Sequence, residues 1–179
     1  MSPDPTAAPP DTTPDWGEAR ERTVSWHDPM IGAGAAMSMT GLDYLRAMAD
    51  GVLPPPPISQ LMQMGLTSVE HGRVEFTCEP DESAYNPIGV VHGGLVCTLL
   101  DSVAGCALHS TLPAGRGYTS IEIKVSYLKA VTARSGTLTA VGTVVKGGSR
   151  VGFTEGVVTD AAGKVVATAT STLLVFDVA

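Results

Sequence analysis

A pair of glycines and one acidic residue are spaced in a way that suits chemistry on a carbonyl group. Gly93 and Gly94 are predicted to open a helix that carries Asp101 two turns later. Free N–H groups at a helix start carry the positive end of its dipole, and glycine lets a ligand approach the backbone closely. Such a site suits a polarised carbonyl oxygen.

Asp101 would supply a carboxylate from this helix as the reacting group. It lies among apolar residues, and a lone buried carboxylate is costly unless it is paired or used. Burial should also strengthen it as a base. A purely structural alternative is that His92-Gly93-Gly94 only caps the helix and that Asp101 binds a buried backbone donor. The combination of these residues with Asn86 upstream favours the chemical interpretation.

The helix must be buried, because it is apolar nearly all round from Gly94 to about Thr111. Residues 66–79 alternate well enough for two short strands, with a break at Gly72. In a later strand, Ile121, Ile123, Val125 and Tyr127 share one face, and Glu122, Lys124 and Ser126 share the other.

Three further runs with the period of strands follow, over Gly136–Lys146, Val151–Thr159 and Lys164–Phe176. The turns between them contain Gly147-Gly148 and Asp160–Gly163. Short turns predict that these strands and the one before them form a four-stranded antiparallel meander. The sheet must wrap around the buried helix, since nothing else can cover it. We therefore predict an α+β fold.

The N-terminal part of the chain differs from the rest in composition. Residues 1–28 are rich in Pro and Asp and are predicted to form a flexible tail. Residues 29–64 predict a helical lead-in, with Thr40 as a helix cap and a stiff connector at Pro54–Pro57. We expect this segment to form a flap over a main domain of residues 65–179 that is complete without it.

Composition excludes several classes of function. A net charge of −7 with only 11 Lys and Arg gives no general reason to bind nucleic acid or an anionic membrane. The longest weakly polar stretch, Met30–Met39, is about half the length needed to span a bilayer. Three cysteines without paired spacing predict a reducing, cytoplasmic setting, and the N-terminus lacks a signal-peptide pattern. No metal site is predicted, because the histidines are scattered.

The motif residues resemble a known family. Asn86, His92-Gly93-Gly94 and Asp101, followed by the strand Thr119–Leu128, resemble the hotdog-fold acyl-CoA thioesterases, closest to the PaaI-like, phenylacetate-pathway type. The resemblance covers about residues 60–176. It implies an antiparallel sheet wrapped around a central helix, two chains paired into one continuous sheet, and a homodimer or homotetramer. The implied substrate is an acyl-CoA, so that CoA is part of the substrate and no separate cofactor is expected.

The resemblance also implies residue roles. Asp101 would attack the thioester or activate water, and the N–H of Gly93 would polarise the thioester carbonyl. His92 would support that loop, and Asn86 would orient water or the carboxylate. Ser120 matches a hydroxyl that assists in some relatives, although it falls on the polar face of its predicted strand.

The chain departs from the family pattern at two positions. Some relatives carry Glu where this chain has Asp101, and some carry a hydroxyl one turn later, where this chain has Gly105.

Lys146 and Arg150 flank the Gly-Gly turn and could hold a CoA phosphate, or they could simply be a solvated hairpin tip.

Three functions remain open at this point. The first is hydrolysis of an aromatic or medium-chain acyl-CoA. The second is an enoyl-thioester hydratase or dehydratase, because Asn86-Pro87-Ile88 resembles part of the hydratase signature. That signature also has an Asp two residues before the Asn and a His directly after the Ile. This chain has Ala84 and Gly89 at those positions. The third is a non-catalytic acyl-CoA-binding protein of the same fold.

Helix geometry limits how the site can be assembled. Gly93 and Asp101 are eight residues apart, and eight residues span roughly 12 Å along a helix axis. A carbonyl bound at Gly93 must lie about 3 Å from its attacker. If both residues act on one thioester, they must therefore come from two different chains.

Overall fold

The computed structural model of the chain describes residues 14–178. The first thirteen residues of the predicted tail lie outside that range. The helices are α1 Pro29–Ala36, α2 Gly41–Ala49, α3 Pro57–Leu61 and α4 Gly93–His109, with short 3-10 turns at Glu82–Ala84 and Ala133–Ser135. The strands are β1 Met64–Glu70, β2 Arg73–Cys78, β3 Arg116–Tyr127, β4 Leu138–Lys146, β5 Val151–Thr159 and β6 Val165–Asp177.

A single antiparallel sheet carries the long helix on one face. Its strand order is β1-β2-β4-β5-β6-β3, and α4 packs against β2 through β6. Leu99, Leu100 and Val103 of α4 are fully buried in this interface. The predicted α+β class, with a sheet around a central apolar helix, is therefore confirmed.

The backbone of α4 lies directly on the centre of the sheet. A Cβ atom at Gly142 of β4 would come 2.2 Å from the carbonyl oxygen of Val103. Any side chain at position 142 would push the helix away from the sheet, so glycine is needed there.

The position of β3 differs from the prediction. The meander is confirmed for β4, β5 and β6, but β3 pairs with β6 and forms an edge of the sheet. The chain leaves β3 through the 3-10 turn at Ala133–Ser135 before it enters β4 at the far side of β5. Periodicity indicates that a segment is a strand, but pairing depends on how the sheet covers the helix.

The N-terminal helices pack firmly on the main body. Thr40 caps α2 as predicted, since its hydroxyl oxygen accepts a hydrogen bond from the N–H of Asp43. Leu45 of α2 is only 1% exposed and belongs to the main core. The N–H of Gly41 donates a 3.0 Å hydrogen bond to the carbonyl of Leu112, just beyond α4. Residues 29–64 therefore contribute a buried side chain to the core, and the completeness of the main domain without them stays a prediction.

Residues 14–28 form no helix or strand before the start of α1. Arg22 donates a 2.8 Å hydrogen bond to the carbonyl of Leu61, which ties this stretch to the end of α3. Within residues 14–178, no helix is both long and apolar enough to cross a membrane.

Candidate active site

The start of α4 is built around a histidine cap. Nδ1 of His92 accepts a 2.8 Å hydrogen bond from the N–H of Gly94. A Cβ atom at position 94 would lie 2.8 Å from the same nitrogen, so a larger residue would displace the cap. Within residues 14–178, the N–H of Gly93 donates no hydrogen bond. The cap therefore engages one backbone donor and leaves the N–H of Gly93 available for a ligand.

Asn86 shapes the loop that leads into this cap. Its side-chain oxygen accepts hydrogen bonds from the N–H groups of Ile88 and Val90, at 3.1 and 3.3 Å. The N–H of His92 donates to the carbonyl of Ala84, which fixes the end of the loop. Within the described part of a single chain, Asn86 makes no hydrogen bond to Asp101.

Asp101 and Ser120 meet between α4 and β3. The hydroxyl of Ser120 donates a 2.7 Å hydrogen bond to Oδ1 of Asp101. Asp101 is half-buried and faces a cavity, so its second carboxylate oxygen can reach a ligand. The structure thus brings together two of the predicted site residues.

A β-bulge puts Ser120 on the helix side of the sheet. Ser120 pairs with Leu173 and Glu122 pairs with Thr172, so Ile121 is an extra residue in β3. Because the extra residue reverses the alternation, Ser120 faces inward although Glu122 faces outward. The prediction that Ser120 lies on the polar face is therefore wrong.

The cavity next to Asp101 has a polar end and an apolar body, with a volume of about 450 Å³. Cavities of this size are typical of small-molecule sites. The polar end is formed by α4 and β3, through Asp101, Ser102, Cys106, Tyr118 and Ser120. Most of the apolar wall comes from the N-terminal segment and the first two strands, through Leu45, Met48, Pro55, Pro56, Ile58, Met64, Leu66 and Phe76.

The start of α4 and Asp101 face different cavities. His92 and Gly94 line a separate cavity of about 410 Å³, together with Arg22 and Gln63. Gly93 and Asp101 lie on the same straight element, α4, at the spacing of roughly 12 Å that the sequence predicts. One chain therefore does not bring the Gly93 N–H and the Asp101 carboxylate to one point.

The two candidate phosphate-binding cations lie elsewhere. Lys146 ends β4 and Arg150 precedes β5, so both flank the turn near the C-terminal end of α4. Neither residue lines the cavity of Asp101. In the described part of the chain, no group of three or more His, Cys, Asp or Glu is placed to hold a metal ion.

Sequence analysis did not place Tyr118 or Cys106 at this site. Tyr118 and Cys106 line the cavity beside Asp101. Tyr118 stands two positions before Ser120, so the strand period would have pointed to both once the bulge was known. Burial raises the pKa of Cys106 to about 12, so this thiol stays neutral and is a poor nucleophile.

Comparison with known proteins gives consistent matches. A family model described as the thioesterase superfamily matches residues 88–167. A curated protein of Halobacterium salinarum, named as a candidate esterase, is 44% identical over 69 residues. That match covers 37% of this chain and 44% of the relative, so the chain spans less than half the length of the curated relative.

Solved structures match over most of the chain. A candidate thioesterase of Ralstonia eutropha, described as related to phenylacetic acid degradation, has a TM-score of 0.67 and 27% identity. The match covers 73% of this chain and 98% of that one. A Streptococcus mutans protein bound to acetyl-CoA has a TM-score of 0.59 and 30% identity, over 64% of this chain and 89% of that one.

Proposed function

Because the chain belongs to the hotdog-fold thioesterase superfamily, we propose that it hydrolyses the thioester of an aromatic or medium-chain acyl-CoA. One observation carries this proposal: the Asp101 carboxylate, oriented by Ser120, faces a cavity with an apolar body. The apolar body suits the acyl group, and the carboxylate suits a reaction at the carbonyl next to it. The acetyl-CoA bound to the Streptococcus mutans relative supports the substrate class.

The reaction needs a base or nucleophile and a partner for the carbonyl oxygen. The free N–H of Gly93, at the positive end of the α4 dipole, stabilises the negative charge that develops on that oxygen. Asp101 either takes a proton from the attacking water or attacks the carbonyl carbon itself, with water then cleaving the anhydride. In both routes a C–O bond to water forms, the C–S bond breaks, and the thiolate of CoA leaves and takes up a proton.

The supporting residues keep these groups in position. Ser120 holds one carboxylate oxygen, so that the other points at the substrate. His92 caps α4 through the N–H of Gly94, and Asn86 folds the preceding loop. We assign Lys146 and Arg150 to the phosphates of CoA, because they are cations on an exposed turn.

The active unit is at least a dimer. His92 and Gly94, the neighbours of the Gly93 donor, line one cavity, and Asp101 of the same chain lines another. The rise of the helix keeps Gly93 and Asp101 roughly 12 Å apart. The free edge of the sheet, β3, exposes apolar side chains, with Ile121 at 58% and Leu128, just beyond the strand, at 63%. A second chain paired along β3 would cover these side chains and bring its own Gly93 to the first chain's Asp101.

The test is release of free thiol from acyl-CoA, followed with a thiol reagent over a panel of aromatic and aliphatic substrates. We expect turnover without any added metal or cofactor, since an acid and backbone donors suffice for a good thiolate leaving group. Hydration of an enoyl-CoA without thiol release would overturn the proposal. Loss of turnover with EDTA and its return with zinc would overturn the metal-free route.

A further inference from the structure

Tyr118 places a phenol hydroxyl in the cavity one helix turn beyond Asp101. It lies on β3, two residues before Ser120 and on the same inward face. A Cβ atom at Gly105 would lie 2.8 Å from the hydroxyl oxygen and 2.6 Å from Cε2 of the ring. The ring therefore rests directly on the backbone of α4, and only glycine at position 105 admits it.

The ring of Tyr118 is also held by aromatic packing. Its centroid lies 5.3 Å from that of His109, and His109 lies 5.4 Å from Tyr44 of α2. Both pairs are tilted, within the range that favours aromatic contacts. Since the ring is fixed by Gly105 and His109, the direction of its hydroxyl is fixed as well.

The hydroxyl of Tyr118 is available to a ligand. No oxygen or nitrogen of residues 14–178 accepts a hydrogen bond from it. Its hydrogen-bond partner is the thiol of Cys106, a weak acceptor that a ligand oxygen can replace. Burial raises the pKa of Tyr118 well above its ordinary value, so the group remains a donor. The hydroxyls of Ser102 and Ser120 already donate to the Thr98 carbonyl and to Asp101.

The position of this donor relative to Asp101 sets what it can reach. Residues four apart on a helix have Cβ atoms about 5–6 Å apart, and the Tyr118 hydroxyl lies over position 105. The thioester carbon must approach the Asp101 carboxylate to about 3 Å. The third carbon of the acyl chain is separated from the thioester carbon by two C–C bonds of about 1.5 Å each. An oxygen on that carbon can therefore approach the Tyr118 hydroxyl to a hydrogen-bond distance of about 2.7 Å.

We propose that the cavity selects acyl thioesters that carry an oxygen on the third carbon, a 3-hydroxyacyl or 3-oxoacyl group, and that Tyr118 recognises this oxygen. This inference rests on the proposed function, since it takes Asp101 as the group that meets the thioester. An acyl group without the oxygen leaves the Tyr118 hydroxyl desolvated and without a strong acceptor, which disfavours its binding. The remainder of the wall is largely apolar and suits the rest of the chain.

The test compares the binding of hexanoyl-CoA and 3-hydroxyhexanoyl-CoA by calorimetry. The Asp101→Asn variant is used, so that neither ligand is consumed. We expect 3-hydroxyhexanoyl-CoA to bind about tenfold more tightly. Adding Tyr118→Phe, which keeps the ring and its packing, should make the two affinities equal. Adding Tyr44→Phe removes a phenol hydroxyl that does not line the cavity, and it should leave the preference intact.

Two results would overturn the inference. One is equal affinity, or no measurable binding of either ligand, in Asp101→Asn itself. The other is a preference that survives in the variant with Tyr118→Phe. Failure of the proposed function has a different signature, because the wild-type protein would then release no thiol from either compound.

Discussion

Ser120 and Asp101 are joined by a 2.7 Å hydrogen bond from the hydroxyl to the carboxylate, across the contact between β3 and α4. The bond exists because the bulge at Ile121 turns Ser120 toward the helix. It engages one carboxylate oxygen and leaves the other toward the cavity. In the proposed mechanism the two residues act as a unit, with Asp101 as the reacting group and Ser120 as its positioning partner.

Asp101→Asn tests the reacting group. The change is nearly isosteric, so the fold should persist, while kcat should fall about a hundredfold or more if the carboxylate is a base or nucleophile. Steady-state thiol release and a thermal melt on the same sample measure both effects. Near-normal kcat in a folded variant would give Asp101 a structural role only.

Ser120→Ala tests the positioning partner. Loss of one hydrogen bond to the carboxylate should lower kcat about tenfold and leave KM nearly unchanged, because the bond orients the reacting group rather than the substrate. Ser126→Ala is a matched control, since Ser126 lies exposed on the outer face of the same strand. Equal kcat values in the two variants would contradict the role of Ser120.

A heterodimer tests whether the site is shared between chains. One chain carries Asn86→Ala, which loosens the loop before the Gly93 donor, and the other carries Asp101→Ala. In a shared site, one of the two sites keeps both an intact loop and an intact carboxylate. We expect roughly half of the wild-type activity per dimer, because one of two sites is whole. A purified heterodimer no more active than either mutant homodimer would exclude the shared site.

The single variants Met48→Ala and Ile58→Ala test whether the apolar wall of the cavity binds the acyl group. Both side chains line the cavity of Asp101 from the N-terminal segment, so their removal should lengthen the space for the acyl chain. The ratio of kcat/KM for longer over shorter acyl-CoAs should rise about 10-fold, the effect of one or two methylene groups in an apolar pocket. Val52→Ala, on an exposed part of the same segment, serves as the control. An unchanged substrate profile would place the acyl group elsewhere.

His109 predicts a pH dependence of stability. Burial holds the pKa of His109 below its ordinary value of 6.5, because it disfavours the charged ring. Between the folded and unfolded pKa values the unfolded chain binds more protons, so the free energy of unfolding should decrease as the pH falls from about 6.5 toward the folded pKa. His109→Phe keeps an aromatic ring but removes the titrating group, so this dependence on pH should disappear.

Urea denaturation of the wild type and of His109→Phe between pH 8 and 5 measures the effect. The wild type should lose more stability than the variant over the acidic part of the range. Parallel curves for the two proteins would show that His109 does not contribute.

Much of the fold can be predicted from local patterns. The apolar run after Gly94 predicts a buried helix, and the alternation over β4, β5 and β6 predicts a sheet to cover it, because these periods decide which side chains can share a face. The distance between Gly93 and Asp101 also follows from the sequence alone, since the rise of a helix is constant. From that distance comes the expectation of a site shared between two chains.

Only the tertiary structure decides which side chains meet at Asp101. The alternation of a strand predicts two faces, but one extra residue at Ile121 exchanges them, and that bulge forms only when β3 pairs with β6. The same pairing brings Ser120 and Tyr118 to α4. The apolar wall of the cavity, which includes Met48 and the proline connector, likewise arises from packing between distant parts of the chain. Contacts of this kind depend on register and close packing, and neither is encoded in a local pattern.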